Sequence, residues 1–472
     1  MRLQVSEIHD GIAVIEPIGA MVKTTVLQQL SNVIESLIVR GRTAFLLDLS
    51  KTSRVNMSAL AAIVELPAIF QRSQIAYSNL SDVVSRKLES SGVDRGLQIF
   101  STRQQAMNSP EFQAHALKQT RAILFCDGLN QGFGRLRPEL NPSMLDALGE
   151  PVLSRSLDLL RRFGIQQTFL TLTQNDQQIP AYFRRCNPEN QNIVYCRMTS
   201  ATSLPFVGGR KGRAHQLRQL QSEHLALDGD TVLSFGTDLA DVNLAEMMRT
   251  HRHQKADFTF AMSAENGCEY SDFVAQNSAK NLVSLGPKES SKILRRPQLF
   301  ETGIFIISNS AAALIERDAS LHNLHDLGRK ISKEGGRVLC FAHNSKFHSC
   351  ATPKGYYNAL CHMNRSVGPE RTQRGGVDQT CYVSKGAIIK RGVELLGSCF
   401  IQDGATVGRN AVLENCVVLQ NGHVESGFWG QNLLIGPDST QDYLLTEHGA
   451  AVQNLDRAGS SKGQEQRTMA SA

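Results

Sequence analysis

The chain has 472 residues, more than one hydrophobic core normally holds, so two to four domains are expected. Hydrophobic residues make up 41% and charged residues 20%, which is typical of a globular protein and excludes a disordered one. The net charge of +6 permits anionic ligands, but no basic stripe accompanies it, so no nucleic-acid partner is expected. None of the ten cysteines forms a Cys-x-x-Cys pair, which favours buried reduced thiols. Neither a membrane span nor a signal peptide is recognisable, so we expect a cytoplasmic protein.

Residues 1–107 alternate strand and helix patterns. Apolar residues from Val26 to Ile38 recur at helical spacing and form one apolar face. The pattern as a whole predicts a small α/β domain. The predicted strands are 12–16 and 43–49. The predicted helices are 26–38, between the two strands, then one that begins near 57, and 82–90.

This segment resembles the STAS domain, the fold of anti-sigma-factor antagonists. The resemblance is carried by Gly19 before the first helix, by DLS (48–50) at a strand end and by LSDVVSRKLESSGVDRGLQIFSTRQQAM (80–107). In that family an Asp-Ser-Ser-Gly stretch follows the strand, and a partner kinase can phosphorylate its second serine; here the stretch is NMSA (56–59). The resemblance implies a protein partner and makes Ser58 a phosphorylation candidate, because a phosphate adds about −2 charge at a helix start. The alternative is that Ser58 only caps or packs against that helix.

The stretch AILFCDGLNQGFGRLRPELNPSML (122–145) runs from an apolar segment through three glycines into Arg-Leu-Arg-Pro. It follows a polar stretch, 108–120, interpreted as a linker, and it opens a second α/β region, 121–365. Glycine N–H groups and cationic side chains are what a phosphate site needs, although a plain tight turn would also explain the glycines. The candidate nucleotide-binding residues are Gly128, Gly132, Gly134 and Arg137, together with Arg135.

A six-residue period marks the C-terminal region, 366–440. Aliphatic residues recur every six positions from Val383 to Leu419, and a second series recurs at the same period from Ala387 to Val417. This is the hexapeptide signature of a parallel β-helix, in which each unit forms one side of a triangular coil. Such coils also stack on one another, so a homo-oligomer is expected. The remaining residues, 441–472, are polar and predicted to be a mostly disordered tail.

From 121 to 436 the order and spacing of motifs resemble the sugar-1-phosphate nucleotidyltransferases, the nucleotide-sugar pyrophosphorylases. The resemblance implies a Rossmann-like α/β/α domain followed by a left-handed β-helix. It implies attack of a sugar phosphate on a nucleotide α-phosphorus, with Arg135 as a catalytic cation and two aspartates holding Mg²⁺. The motifs are RLRP (135–138), GEPVL (149–153), FGI (163–165), TVLSFGTDLADVNLAEMMRTHRHQKADFTFAM (231–262), ETGIFIIS (301–308) and ATPKGYYNAL (351–360).

Several signature residues of that family are missing. The signature lysine is lost within NPS (141–143), and the glycine loop is about four residues longer than the family pattern. Bulky Arg213 and His215 stand where the family has small residues. The first metal aspartate is represented by Asp238, displaced by one position, and Ser349 stands at the place of the second. The alternative for Asp238 is that it only caps the helix that follows.

These departures favour a pyrophosphorylase-like protein with a degenerate site, acting as a regulator, scaffold or ligand sensor. It would bind a nucleotide or nucleotide-sugar, serve surface polysaccharide or nucleotide-sugar metabolism, and meet a partner protein through its STAS-like domain. The alternative is a divergent active enzyme that makes an NDP-sugar and pyrophosphate with Mg²⁺ for exopolysaccharide synthesis, with Arg137 or Lys211 replacing the lysine. No cofactor is expected unless the enzyme is active. A β-helix acyltransferase is a third option, for which His423 is the candidate histidine.

Overall fold

The computed structural model describes most of the chain. Within the described residues no helix combines the length and the apolar character needed to cross a membrane. The described residues are 1–92, 96–126, 133, 136, 141–174, 176–186, 191–199, 212–263, 274–277, 282–286, 299–367 and 380–443.

The N-terminal segment is a six-stranded sheet covered by helices. Its strands are β1 (Arg2–His9), β2 (Ile12–Met21), β3 (Ala44–Asp48), β4 (Thr52–Val55), β5 (Gln74–Ser78) and β6 (Ile99–Phe100), and its helices are α1 (Val26–Val39), α2 (Met57–Ile69), α3 (Asp82–Ser91) and α4 (Arg103–Met107). The order is β1-β2-β3-β5-β6, with β4 paired to β2 and only β1 antiparallel to its neighbour. The apolar face predicted for α1 is buried against this sheet at Val26, Leu30, Ile34 and Leu37.

The segment interpreted as a polar linker contains a packed helix, α5 (Pro110–Ala116). Phe112, Ala116 and Leu117 are fully buried in a cluster that also holds side chains from the N-terminal sheet and from the central region. The main chain is tied on both sides, since Asp10 N–H donates to the Ala116 carbonyl at 3.1 Å and Leu117 N–H donates to the Phe163 carbonyl at 2.9 Å. The two α/β regions therefore share one hydrophobic core across this segment.

The central region is an α/β layer structure built on a nine-stranded sheet. Its strands are β7 (Arg121–Phe125), β8 (Gln167–Leu172), β9 (Asn192–Arg197), β10 (Thr231–Phe235), β11 (Asp238–Ala240), β12 (Phe258–Ser263), β13 (Val274–Asn277), β14 (Leu282–Gly286), β15 (Leu299–Ile307), β16 (Val338–His343) and β17 (Phe347–Ser349). Its helices are α6 (Val152–Arg162), α7 (Gln178–Cys186), α8 (Arg213–His224), α9 (Leu244–His253), α10 (Asn309–Arg317), α11 (Leu324–Lys333) and α12 (Pro353–Val367).

The order of this sheet is β14-β13-β15-β10-β7-β8-β9, and β12 pairs with both β15 and β16. Strands β10, β7, β8 and β9 run parallel, whereas β15 is antiparallel to β10. The short strands β11 and β17 form a separate antiparallel pair. The parallel strands are apolar on both faces because helices cover the sheet on both sides.

The C-terminal region consists of short strands arranged in three parallel sheets, β18-β21-β24-β27, β19-β22-β25 and β20-β23-β26. The last strand, β28, pairs antiparallel with β27 and continues the paired structure past the predicted boundary at 440. The strands are β18 (Tyr382–Val383), β19 (Ile388–Ile389), β20 (Glu394–Leu396), β21 (Phe400–Ile401), β22 (Thr406–Val407), β23 (Val412–Glu414), β24 (Val417–Val418), β25 (His423–Val424), β26 (Trp429–Gln431), β27 (Leu433–Ile435) and β28 (Thr440–Asp442).

The six-residue period loses one position after Glu414. Ile401 pairs with Val383 eighteen residues before it and with Val418 seventeen residues after it. Val418 therefore joins the interior cluster, and the expected interior residue, Leu419, packs instead in a second cluster with α12. One missing residue shifts a strand side chain to the opposite face, because the side-chain period of a strand is two.

Candidate functional site

The site expected from the sequence lies where the parallel strands end, after Phe125 of β7, Leu172 of β8 and Phe235 of β10. The proposed phosphate-binding residues follow β7 directly. All five lie outside the described residues, so their expected roles stay predictions: Gly128, Gly132, Gly134, Arg135 and Arg137.

The segment that replaces the signature lysine is packed beneath this edge. The Asn141 side-chain amide donates to the carbonyl of Cys126 at 2.6 Å and to the Asp176 carboxylate at 2.7 Å. Ser143 is fully buried, and a Cβ added to Gly236 would lie 2.9 Å from its hydroxyl. A short polar anchor therefore fills the place of a long cation, and no positive charge reaches the strand ends from this segment.

Asp238 is the first residue of β11, and its direct partner in the antiparallel register is Ser349 of β17. The structure thus brings together the two positions that the resemblance assigns to metal-binding aspartates. The Ser349 hydroxyl donates to Oδ1 of Asp238 at 2.7 Å. Both residues are buried, with 6% of Asp238 and 9% of Ser349 exposed, so this hydrogen bond is shielded from water.

The second carboxylate oxygen of Asp238 packs against Gly303 of β15. Gly303 has φ +69°, and a Cβ built there would lie 2.2 Å from Oδ2 of Asp238, so only glycine fits at this position. The suggestion that Asp238 caps the following helix is wrong, because α9 is capped by Asn243, whose side chain accepts from the Glu246 N–H at 3.1 Å.

The described residues do not fit the expected Mg²⁺ site. Mg²⁺ is held by one or two carboxylates together with phosphates and waters in octahedral geometry. Here Asp238 uses one oxygen for Ser349, and the described ranges contain no group of three or more His, Cys, Asp or Glu side chains able to hold a metal. Neighbouring Cys350 does not help, since burial and then the charge of Asp238 raise its pKa and keep the thiol protonated.

Arg213 brings a buried positive charge to the same edge of the sheet. It opens α8 after Gly212, and only 1% of it is exposed. Its guanidinium lies 4.7 Å from the ring centre of Phe125 and 5.5 Å from that of Phe235, and it donates to the Gln216 amide oxygen at 2.5 Å. The sequence indicated a bulky residue in a small-residue motif, and the structure shows that the side chain fills space above the last residues of β7 and β10.

Behind Asp238, a cavity of about 870 Å³ lies between α6, β11, β17 and α12. The rings of His348 and His362 contribute to its lining, 5.0 Å apart, beside Lys346 and Arg155. Burial, with the charges of His362 and Lys346, lowers the pKa of His348 to about 4, so this imidazole is neutral at pH 7. Sequence reasoning missed these residues because single histidines on a strand and a helix form no motif.

Two further candidates lie away from this edge. Ser58 is exposed in the first turn of α2, and the helix cap is Asn56, whose side chain accepts from the Ala59 N–H at 2.9 Å. Ser58 therefore does not supply the cap. His423 lies exposed on β25 at the surface of the C-terminal strands.

No family model matches the chain. Mannose-1-phosphate guanylyltransferase of Mycobacterium tuberculosis is 20% identical over 314 residues, covering 66% of this chain and 83% of that protein. UTP–glucose-1-phosphate uridylyltransferase of Synechocystis sp. is 22% identical over 321 residues, covering 62% and 82%. The crystal structure of HddC from Yersinia pseudotuberculosis has a TM-score of 0.41 at 16% identity, covering 52% of this chain and 99% of that one. The chain is thus similar in sequence to two sugar-1-phosphate nucleotidyltransferases.

Proposed function

We propose that this protein is a nucleotide-sugar pyrophosphorylase-like binding protein with little or no turnover, acting as a sensor or scaffold in nucleotide-sugar or surface-polysaccharide metabolism. The observation that carries the proposal is the Asp238–Ser349 hydrogen bond. At the two places where the related enzymes are expected to hold a metal between carboxylates, this chain pairs one carboxylate with a hydroxyl donor. The hydroxyl thus gives Oδ1 of Asp238 a hydrogen-bond donor at the place where the resemblance implies a second metal-binding carboxylate.

The chemistry of phosphoryl transfer explains why this pairing matters. Such reactions depend on positioned positive charge, and removing one preorganised group typically slows them by roughly 10²–10³-fold. In this chain the signature lysine is replaced by a segment in which Ser143 is buried, and the second carboxylate is replaced by Ser349. Two independent losses favour a site that has kept binding more than catalysis. The buried Arg213 supports this reading, because it occupies room that small residues would leave open.

In this proposal the N-terminal domain is the part of the chain that contacts a partner protein. We propose that it is STAS-like and docks a partner protein, in particular a kinase, at the start of α2. Ser58 is exposed there, within the first helical turn, where the helix dipole favours a phosphate group. Val22 and Met57 expose 44% and 60% of their surfaces nearby, and Asn56 joins them by donating to the Val22 carbonyl at 2.8 Å. An apolar surface beside a modifiable serine suits a reversible protein contact.

We further propose that the C-terminal strands are a hexapeptide-type parallel β-helix. The support is their arrangement in three parallel sheets, with partners seventeen or eighteen residues apart along the chain. A homo-oligomer assembled through such coils is part of the same proposal.

Binding and turnover are separated by one experiment on the purified full chain. Calorimetry with GTP and UTP measures binding, and pyrophosphate release measures turnover in the presence of mannose 1-phosphate or glucose 1-phosphate and Mg²⁺. We expect nucleotide binding that weakens in Arg135→Ala, with no pyrophosphate release above background. Arg161→Ala is the matched control, since the ion pair that Arg161 forms among the described residues is with Asp158, one turn away on α6. Pyrophosphate release that disappears in Arg135→Ala would identify a divergent active enzyme instead.

The proposed phosphorylation of Ser58 is tested on protein isolated from cells. Mass spectrometry of the peptide that contains Ser58 should find phosphate there and not on the neighbouring exposed Ser53. If no growth condition yields phosphate on Ser58, the switch is wrong and the domain is a constitutive docking module.

A further inference from the structure

Two residues of the glycine-rich loop are described, and both are buried. Phe133 is 2% and Leu136 is 3% exposed, and they stand on either side of Gly134 and Arg135 in the sequence. The Leu136 N–H donates to the Phe133 carbonyl at 3.0 Å. A backbone hydrogen bond therefore joins Phe133 and Leu136, and both of their apolar side chains are buried.

Both side chains pack away from the sheet of the central region, in a cluster shared by α12 and the C-terminal strands. The Phe133 ring meets Tyr356 edge-on, with ring centres 6.2 Å apart. We call this cluster the loop anchor. Besides Phe133 and Leu136, it contains Leu145, Ala147, Leu148, Val152, Cys350, Tyr356, Ala359, Leu360, Tyr382, Phe400, Val417, Leu419, Leu434 and Tyr443.

The contact from the C-terminal strands to the loop is direct at Gly436. A Cβ built on Gly436 would lie 3.0 Å from the Leu136 carbonyl oxygen and 3.4 Å from its Cδ2. Gly436 follows β27 and is fixed in a turn, because its N–H donates to the Ser439 carbonyl at 2.8 Å. The backbone of Leu136 therefore rests on the C-terminal strands with no space between them.

Polar contacts fix the other side of the loop anchor. Tyr356 is fully buried, and its hydroxyl donates to the Asp146 carbonyl at 2.5 Å. Gln402 of the C-terminal region donates to the same hydroxyl at 2.5 Å and accepts from the Gln420 N–H at 3.0 Å. A fully satisfied buried network of this kind defines one arrangement of the packed elements.

We propose that Phe133 and Leu136, which the C-terminal strands hold through Gly436 and the loop anchor, are positioning residues for nucleotide binding, and that they act through the nucleotide-binding role predicted for Arg135 from the sequence. This inference rests on the proposed nucleotide-binding function and extends it, because it makes the C-terminal region part of the nucleotide site. Leu136 directly follows Arg135 in the sequence, so a displacement of Leu136 is expected to weaken the phosphate contact that the sequence predicts for Arg135. Nucleotide affinity and the packing of the C-terminal strands are then linked.

The test uses the full chain with GTP and UTP as probes, measured by calorimetry. Gly436→Ala and Gly436→Val push on the Leu136 carbonyl without touching the nucleotide, and φ of Gly436 is not in the left-handed region, so the side chains are tolerated by the backbone. We expect about tenfold weaker triphosphate binding in Gly436→Val, a smaller loss in Gly436→Ala, and unchanged binding of the nucleosides alone. Gly96→Ala is the matched control, because a Cβ there meets nothing within 4 Å.

A double-mutant cycle separates positioning from general damage. In the Arg135→Ala background, Gly436→Val should have no further effect on triphosphate affinity. Equal losses in both backgrounds would overturn the inference, because the contact would then act without Arg135. Wild-type binding that Gly436→Val leaves intact would overturn the inference alone, whereas no wild-type binding would reject the proposed function and the inference with it.

A second measurement avoids dependence on a variant that fails to fold. In the wild-type chain, saturating GTP or UTP should slow amide hydrogen exchange at Leu434 and Gly436, as linkage requires. Binding that leaves exchange at these amides unchanged would contradict the coupling.

Discussion

Replacing Ser349 by aspartate should convert a hydrogen-bonded pair into a metal-dependent one. In the wild-type chain the Ser349 hydroxyl lies 2.7 Å from the Asp238 carboxylate and both residues are more than nine-tenths buried. Ser349→Asp removes that donor and places a second carboxylate at the register partner of Asp238. Two buried carboxylates in contact are unstable unless a proton or a cation lies between them.

The cost can be worked from the geometry. Two unit charges about 4 Å apart repel by about 4 kcal/mol at an effective dielectric constant of 20, which suits a buried site with nearby water. We therefore expect Ser349→Asp to lower the free energy of unfolding by about 4 kcal/mol at neutral pH in the absence of metal. The repulsion raises the pKa of the pair in the folded protein above its unfolded value, so the folded state binds more protons. The lost stability is then recovered as pH falls through that raised pKa.

A divalent cation should have the same effect as the proton. If it binds only the folded variant, a concentration of about 100 times Kd restores about 2.7 kcal/mol. Thermal unfolding of the variant, measured across a MgCl₂ and a MnCl₂ titration, should show a rising Tm, whereas the wild-type Tm should stay flat. Ser349→Asn is the matched control, because it removes the same hydroxyl and adds similar volume without charge.

Two results would refute this reasoning. A wild-type Tm that rises with Mg²⁺ as steeply as that of Ser349→Asp would mean that Asp238 binds metal without a second carboxylate. A Ser349→Asp variant that ignores both metal and pH would mean that positions 238 and 349 do not share one site.

Two further predictions follow from other parts of the chain. Asn56→Ala removes the cap of α2 and should lower the free energy of unfolding, measured by urea denaturation, by about 1 kcal/mol. Ser58→Ala should change it by less than about 0.5 kcal/mol. Equal losses in the two variants would show that Ser58 contributes to the cap. Burial lowers the pKa of His348 to about 4, so the folded state prefers the neutral imidazole. The resulting stabilisation is fully present above about pH 6.5 and is lost as the pH falls toward 4. The fall in Tm between these pH values should be smaller in His348→Gln, and an identical pH profile would contradict the buried position of the ring.

The elements with strong local periodicity could be predicted from the sequence. The apolar face of α1 follows from residue spacing and is buried at Val26, Leu30, Ile34 and Leu37, although Ile38 of the predicted face is exposed. Helix α2 begins at Met57, as expected. The helix α5 could not be predicted in this way. Its buried residues, Phe112 and Ala116, are few in a polar stretch, and they are buried only because two α/β regions meet there.

The candidate site shows the same division between local and long-range information. Sequence resemblance singled out Asp238 and Ser349 separately, but they are 111 positions apart and nothing in the sequence indicates that one would donate to the other. That fact needs the β11–β17 register. Likewise, the sequence marked Arg213 as too large for its motif, but its place over Phe125 and Phe235 depends on three segments folding together.

The helix between the two α/β regions also bears on how such a chain could have arisen. A domain joined by a free tether can be exchanged between genes by a single recombination event, because its surface is complete on its own. Here a cut between residues 107 and 121 would expose apolar surface, because the cluster that holds Phe112, Ala116 and Leu117 contains side chains from both regions. Exchange of the N-terminal module alone would leave exposed apolar surface on each fragment. Such a junction favours inheritance of the two regions as one unit.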